Sequence, residues 1–295
     1  ARTARTRMNA RYLTDTVERG DDGLLSLEEV EASMLSSRSL VAEELLDGVV
    51  ERCEETSSVE VSGEMVDLTE ACAVLAAWDG TYSTEAVGAT VWREMLASGE
   101  FETGDLTDAG LLFEVAFDPD DPVDTPNTLT EAPTDQDDPI LVALAIAIQN
   151  LTDAGFTVDQ SLGELQFRRK GETDHPVLGA QFREGGISIA EPGDSGNSTL
   201  LPRREYGEVI NSATTLTTDG YPVEYGNSYM LVMEFTDDGP RARAAMAYSQ
   251  SQDPDSPHFD DQTALFSEST LRDVVFTEAD IAADPELVIE TLTLD

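Results

Sequence analysis

Lysine is almost absent from this sequence, in which Lys170 is the single example among 295 residues. Lysine and arginine together number 17 against 60 aspartates and glutamates, so the formal net charge is −43. Nucleic acids and anionic membranes bind basic patches that replace phosphate counterions, and an acidic surface repels them. We therefore expect no nucleic-acid partner. An acidic, solvated shell is typical of adaptation to high salt, so we favour a halophilic host over the alternative of attraction to cationic partners.

Long hydrophobic runs are also missing. The longest apolar run, residues 140–148, is far shorter than the roughly 20 residues that a bilayer-spanning helix needs, so we expect no membrane insertion.

The Asp- and Pro-rich run at 118–126 lacks the glycine and the distal glutamate of a calcium-binding hand, and no glycine-rich phosphate loop is present. We therefore predict no cofactor and no metal ligand within this chain.

Cysteine is scarce, with two residues, Cys53 and Cys72. They do not form a Cys-x-x-Cys pair, which argues against a redox or zinc role. Both lie in segments with helical patterning, and these two segments are predicted to be neighbours. A disulfide, as in a secreted or periplasmic protein, and two separately buried thiols are both open interpretations.

The chain changes character along its length in a way that predicts an α+β protein. Residues 1–115 are patterned as helices, residues 116–138 form an Asp- and Pro-rich connection, and residues 139–295 mix strands with helices. Ser26 and Glu29 form a capping box at the start of a long amphipathic helix. The predicted helices cover about 27–52 (with a break near 36–37), 65–79, 87–98 and 139–154, and the predicted strands cover 162–169, 228–235 and 241–248.

The most apolar strand and several rare side chains are predicted to be structural. Strand 228–235 is apolar on both faces, which favours a strand that is covered on both sides. Trp78 and Trp92 fall on or beside apolar helix faces and are predicted to be core aromatics. His258 lies in a tight loop whose serine and aspartate are too close in sequence for triad geometry, so we expect it to hold the loop by hydrogen bonds.

Several motifs in fixed order carry a resemblance to a known family. They are ARTRM (4–8), ACAVLAAWDG (71–80), AFDPDDPVDTP (116–126), LGELQ (162–166), GNSYMLVMEF (226–235), YSQSQDPDSPHFDDQ (248–262) and FTEADI (276–281). Together they resemble the C-terminal end of the penicillin acylase (penicillin amidase) family of N-terminal-nucleophile hydrolases. The branch that looks nearest is that of aculeacin A acylase and the acyl-homoserine-lactone acylases. The resemblance implies a partial αββα fold, in which residues 1–115 wall an acyl pocket.

The resemblance also implies how the chain would act. In the family a serine at the start of the β chain attacks the substrate, and the sequence has no Gly-Ser or Gly-Cys dipeptide at which such a nucleophile could be released. We therefore expect the C-terminal portion of a β chain, lacking the nucleophile and the oxyanion hole. Its partners would be the α chain, the N-terminal part of the β chain and a small N-acyl substrate.

Further expectations come from the resemblance to this family. Arg5 or Arg7 would be the buried arginine that supports the catalytic network, because a guanidinium offers a rigid fork of donors. Calcium is possible in the complete enzyme, and the location would be periplasmic or extracellular. The alternative to an enzyme part is a non-catalytic, acidic structural or binding remnant of the same fold.

Overall fold

A computed structural model describes residues 3–14, 23–100, 112–134, 137–192, 206–237, 239–285 and 287–292. The α-helices are α1 (Ala4–Thr14), α2 (Leu27–Leu35), α3 (Leu40–Glu55), α4 (Thr69–Ala77), α5 (Ala89–Leu96), α6 (Pro139–Ala154), α7 (Leu162–Leu165), α8 (Asp261–Ser267) and α9 (Glu278–Ala283). The strands are β1 (Ser58–Val61), β2 (Glu64–Asp67), β3 (Phe113–Val115), β4 (Asn127–Leu129), β5 (Gln166–Lys170), β6 (Thr173–Pro176), β7 (Ala190–Pro192), β8 (Tyr221–Gly226), β9 (Tyr229–Thr236), β10 (Gly239–Met246) and β11 (Arg272–Asp273). A single 3₁₀ turn, Phe182–Glu184, is described between β6 and β7. The α+β prediction is confirmed, with helices dominating the first third.

The predicted long helix after Ser26 is present as two helices. At the start of α2, the Ser26 hydroxyl accepts the backbone N–H of Glu29, and the Glu29 carboxylate accepts the N–H of Ser26. Ser37 then adopts a left-handed backbone with φ of 52°. The chain restarts at α3, where the Ser39 hydroxyl caps the N–H of Ala42. The break predicted near 36–37 is therefore confirmed.

A short hairpin, β1–β2, occupies part of the segment that the sequence predicts as the helix 65–79. Ser62 and Gly63 form its turn with positive φ angles of 54° and 89°, the combination that joins tightly paired antiparallel strands. Met65 lies in β2 and is 63% exposed, so the prediction that the helix begins at residue 65 was wrong. The helix begins only at Thr69.

The two cysteines form a disulfide that closes around this hairpin. Cys53 near the end of α3 is bonded to Cys72 in α4, with a Cα–Cα distance of 5.7 Å and a sequence separation of 19. Of the two interpretations left open by the sequence, the disulfide is the one present.

The main core surrounds α5 and α6. Helix α6 matches the helix predicted at 139–154, with the Asp138 carboxylate as its cap and Pro139 in its first turn. Trp92 is fully buried and Trp78 is 6% exposed, which confirms both as core aromatics. Among the described residues, no helix combines the length and the apolar character needed to cross a membrane.

Two small sheets lie in the second half of the chain. One has the strand order β6-β5-β8-β7, with β5 and β8 parallel, and the other has the order β11-β10-β9. The prediction of a strand over residues 162–169 was wrong for the first half of that range. Residues 162–165 form the helical turn α7, because the Glu164 carboxylate accepts both the N–H and the hydroxyl of Ser161 and closes a capping box.

Strand β9 is covered on one side. Met230 and Val232 are 2% and 1% exposed and pack in a second core with α2, β8 and α8. The alternate residues Leu231 and Phe235 are 39% and 83% exposed. The prediction of a strand covered on both sides was therefore wrong for the described part of the chain.

Candidate functional site

Helix α1 carries both arginines for which a catalytic role is expected, and it places them in different surroundings. Arg7 is 2% exposed. Its Nε donates to the carbonyl of Val123 at 2.8 Å, and its Nη2 donates to the Glu44 carboxylate at 3.3 Å. Burial lowers the pKa of Arg7 and raises the pKa of Glu44, while their mutual attraction opposes both shifts. Arg7 thus joins α1 to α3 and to the connection that precedes α6.

Arg11 extends this junction one turn along α1. Its guanidinium contacts Glu44 at short range, and it lies 3.3 Å from both Glu43 and Asp124. The buried Glu44 carboxylate therefore accepts hydrogen bonds from both Arg7 and Arg11. Both arginines therefore have their charges matched by carboxylates, which is the arrangement of a structural junction.

Arg5 points instead toward the segment that follows the 3₁₀ turn. Its Nη2 donates to the carbonyl of Ile187 at 3.2 Å. Its Nε is buried and has no hydrogen-bond partner among the described residues, and within those residues no carboxylate forms an ion pair with it. The segment approaches α1 closely because position 185 is a glycine with φ of 80°, where a Cβ would lie 2.8 Å from Cβ of Ala4.

A fully buried ion pair holds the turn that faces Arg5. Arg93 of α5 donates from Nε to Glu184 at 2.8 Å and from Nη1 to Gln166 at 2.7 Å. The rings of Tyr82 and Tyr221 lie 5.1 and 4.9 Å from its guanidinium carbon. Burial opposes the charge of Arg93, but the attraction of Glu184 and the bonds to it raise the pKa of Arg93 above its usual range.

The neighbouring residue Glu94 is also fully buried and organises a second network. Its Oε1 accepts hydroxyl protons from Thr214 at 2.7 Å and Tyr221 at 2.6 Å, and its Oε2 accepts the amide of Asn150 at 2.9 Å. Asn150 in turn accepts the amide of Asn211 at 2.9 Å. Burial raises the pKa of Glu94, and the hydrogen bonds to its carboxylate act in the opposite direction. The network ties α5, α6 and β8 together.

Sequence reasoning did not identify Arg93, Glu94 or Glu184. A signal was available, since a charged pair interrupts the apolar helix VWREML, in which every residue is buried. Ionised side chains are almost never fully buried unless they are paired.

The single lysine anchors the loop that carries the YSQSQDPDSPHFDDQ motif. The Lys170 ammonium donates to the carbonyls of Tyr248 at 3.1 Å and Ser251 at 3.3 Å. It also lies 4.4 Å from the ring centre of Phe259. Lys170 therefore fastens this loop to β5.

The two histidines contact adjacent acids at the end of the same loop. Nδ1 of His258 lies 3.0 Å from the Asp261 carboxylate, and Nε2 of His175 lies 3.4 Å from that of Asp260. The Ser256 hydroxyl accepts a hydrogen bond from the backbone N–H of His258 at 3.2 Å, so this contact involves the backbone of His258 and not its imidazole ring. This geometry agrees with the predicted structural role of His258.

The helical first third forms an open groove of about 520 Å³ between α4 and the loop that follows it. Val74, Ala77 and Trp78 line it together with the acidic residues Glu70 and Glu85. Within the described residues no group of three or more His, Cys, Asp and Glu side chains that could hold a metal ion is found.

Comparisons with known proteins place these features in a family context. The sequence model of the family described as "Penicillin amidase" matches residues 1–283. Aculeacin-A acylase from Actinoplanes utahensis is 28% identical over 291 residues, which cover 97% of this chain and 32% of that protein. The acyl-homoserine lactone acylase PvdQ from Pseudomonas savastanoi pv. phaseolicola is 24% identical over 272 residues, covering 92% of this chain and 31% of that protein. The chain thus spans about a third of the length of these relatives. Among solved structures, a thermostable penicillin G acylase from Alcaligenes faecalis aligns with a TM-score of 0.43 and 14% identity, over 97% of this chain and 52% of that one.

Proposed function

Because the chain belongs to the penicillin amidase family, we propose that it is part of an acylase that hydrolyses the amide bond of N-acylated compounds. The match to the family over residues 1–283 carries this proposal. The relatives' names point to acyl-homoserine lactones and aculeacin A as substrates, and the family description points to penicillin. Acyl-homoserine lactones, lipopeptides and β-lactams are therefore the candidate substrate classes of this proposal.

The catalytic serine would lie in a segment outside these 295 residues. Its hydroxyl would attack the amide carbonyl with its own α-amino group as base, and the amine would leave from the tetrahedral intermediate. Water would then release the acyl group from the serine ester. The α chain and the N-terminal part of the β chain would be the partners of this segment. The Cys53–Cys72 disulfide supports a periplasmic or extracellular location, where disulfides persist.

Of the two expected arginines, Arg5 fits a positioning role better than Arg7. The donors of Arg7 are engaged by Val123 and Glu44. Arg5 has a buried Nε with no partner among the described residues, and its charge is not matched there by a carboxylate. A rigid fork of donors with one of them, Nε, still available is what is needed to orient a carbonyl oxygen beside a reacting centre.

The first test is the intact mass and N-terminal sequence of the protein as its host produces it, including co-purifying chains. The expected result is a longer chain that begins with serine, with a second chain attached, and hydrolysis of an N-acyl-homoserine lactone by that preparation. A lone chain of 295 residues without amide hydrolysis would overturn the proposal and favour an acidic binding or structural role.

A further inference from the structure

The turn formed by residues 181–188 is the structure against which Arg5 is held. Arg5 is half-buried, and its Nη2 donates to the carbonyl of Ile187, within this turn, at 3.2 Å. Gly185 brings the turn close to α1, since a Cβ added there would lie 2.8 Å from Cβ of Ala4. The position of the Arg5 guanidinium therefore depends on where the 181–188 turn lies.

One buried carboxylate fixes the first half of this turn. Glu184 is fully buried, and its Oε1 and Oε2 accept Nε and Nη2 of Arg93 at 2.8 and 3.1 Å. Its Oε2 also accepts the backbone N–H of Gln181, and the Glu184 carbonyl accepts the Ser39 hydroxyl at 2.6 Å. A bidentate pair of this kind adds geometric specificity as well as energy. Glu184 thus connects the turn to α5 and to the start of α3.

Arg93 is itself held from several sides. Its Nη1 donates to Gln166 at 2.7 Å, and its Nη2 donates to the carbonyl of Gly179 at 3.3 Å. The rings of Tyr82 and Tyr221 lie about its guanidinium at 5.1 and 4.9 Å. A buried ion pair contributes little net stability, because the cost of desolvating both charges offsets their attraction. The geometry that this pair imposes on the turn therefore explains it better than a gain in stability does.

We propose that Arg93 and Glu184 are positioning residues for the amide hydrolysis, which hold the 181–188 turn and through it the guanidinium of Arg5. Both side chains are fully buried, so they act on the reaction through the turn and not by contact with a substrate. This inference rests on the proposed function, in which Arg5 orients a group beside the reacting centre. A misplacement of about 1 Å at such a group can lower the rate about 10²-fold.

The experiment measures kcat and KM of the complete protein as its host produces it, with an N-acyl-homoserine lactone as substrate. Glu184→Gln puts an amide nitrogen in place of one carboxylate oxygen, so that two N–H donors face each other within the pair. We expect kcat to fall about tenfold and KM to change less than about twofold. Because the pair acts through Arg5, Glu184→Gln should cause no further loss of kcat in the Arg5→Ala background.

A second variant displaces the turn without altering the ion pair. Gly185→Ala adds a Cβ that would lie 2.8 Å from Cβ of Ala4 and so pushes the turn away from α1. Gly155→Ala is the matched control, because the φ angles of the two glycines are 80° and 88° and a Cβ at position 155 would meet no atom within 4 Å. Both variants should lose stability through backbone strain. Only Gly185→Ala should lower kcat, by about tenfold.

The outcomes distinguish this inference from the proposed function. A loss of kcat in Glu184→Gln and Gly185→Ala that disappears in the Arg5→Ala background supports the inference. An equal loss with and without Arg5, or the same kcat for Gly185→Ala and Gly155→Ala, overturns it and leaves the proposed function standing. If Glu184→Gln does not fold, the two glycine variants decide between these results. Absence of amide hydrolysis by the wild-type protein would refute the proposed function and the inference with it.

Discussion

The buried carboxylate of Glu94 allows a sharp test of how the core polar network is built. Glu94→Gln replaces the carboxylate oxygen that faces Asn150 with an amide. Since that oxygen accepts the Asn150 amide at 2.9 Å, two N–H donors would then face each other. A buried donor without a partner costs about 1–3 kcal/mol of unfolding free energy. The two hydroxyl bonds from Thr214 and Tyr221 would survive on the remaining oxygen.

The reciprocal substitution restores the pattern. In Glu94→Gln with Asn150→Asp, the new amide donates to the new carboxylate, whose second oxygen still accepts the Asn211 amide, now bonded to Asn150. Asn150→Asp alone places two carboxylates at the present 2.9 Å contact, which forces one to hold a proton. We therefore expect both single variants to be less stable than the double variant, with a coupling energy of more than about 1 kcal/mol.

Urea denaturation of the wild type, the two single variants and the double variant measures these differences in unfolding free energy. The pH dependence of the same measurement tests whether Glu94 is charged in the folded protein. Burial raises the pKa of Glu94 in the folded protein. The stabilising contribution of the protonated group is then fully present below its unfolded pKa and is lost as pH rises through the folded value. The cost of Glu94→Gln should therefore be largest in acid and shrink above that range. Destabilisation of the double variant equal to the sum of the singles would refute this account of the network.

Four further predictions follow from the structure. Replacing Cys53 and Cys72 by serine should lower the unfolding free energy by about 3 kcal/mol, since the disulfide closes a loop with a sequence separation of 19; thermal unfolding with and without reductant checks this. Arg5→Ala should lower kcat on the order of 10²-fold at an unchanged Tm, whereas Arg5→Lys should recover part of the rate; a lowered Tm with normal kcat would contradict the positioning role. Arg7→Gln should instead lower stability by about 1–3 kcal/mol and leave kcat unchanged, because its bonds join structural segments. Lowering the salt concentration from molar to about 0.01 M, where the Debye length is about 30 Å, should lower the Tm of a chain with net charge −43, and a Tm independent of salt would count against halophilic adaptation.

Local signals explain which parts of the fold could be predicted from the sequence. The capping box at Ser26 and Glu29 and the Asp138–Pro139 helix start depend on contacts within a few residues, and both are present. The hairpin around Met65 was missed because the apolar spacing there fits a helix as well as a short strand. Only the Ser62–Gly63 turn distinguishes the two, through backbone angles that the pattern of apolar residues does not encode.

Long-range contacts explain what was missed at the candidate site. Arg93 forms an ion pair with Glu184, which is 91 residues away in sequence, and Glu94 accepts a hydrogen bond from Thr214, which is 120 residues away. Sequence spacing cannot assign such partners, although two charged residues within an apolar helix indicate that partners exist. The same limit left Arg5 and Arg7 equivalent in the sequence, and they differ only in which groups the fold brings to them.

The scarcity of positive charge makes the position of each cation informative. Several cations join segments distant in sequence: Arg7 and Arg93 pair with buried glutamates, and Lys170 holds the carbonyls of a loop some 80 residues away. In a chain with 60 acids and 17 bases, a half-buried arginine has many carboxylates available to it. Arg5 has none within ion-pair distance among the described residues, and its Nε is buried without a partner there. This difference in pairing between Arg5 and the other cations is the observation behind the positioning role proposed above for Arg5.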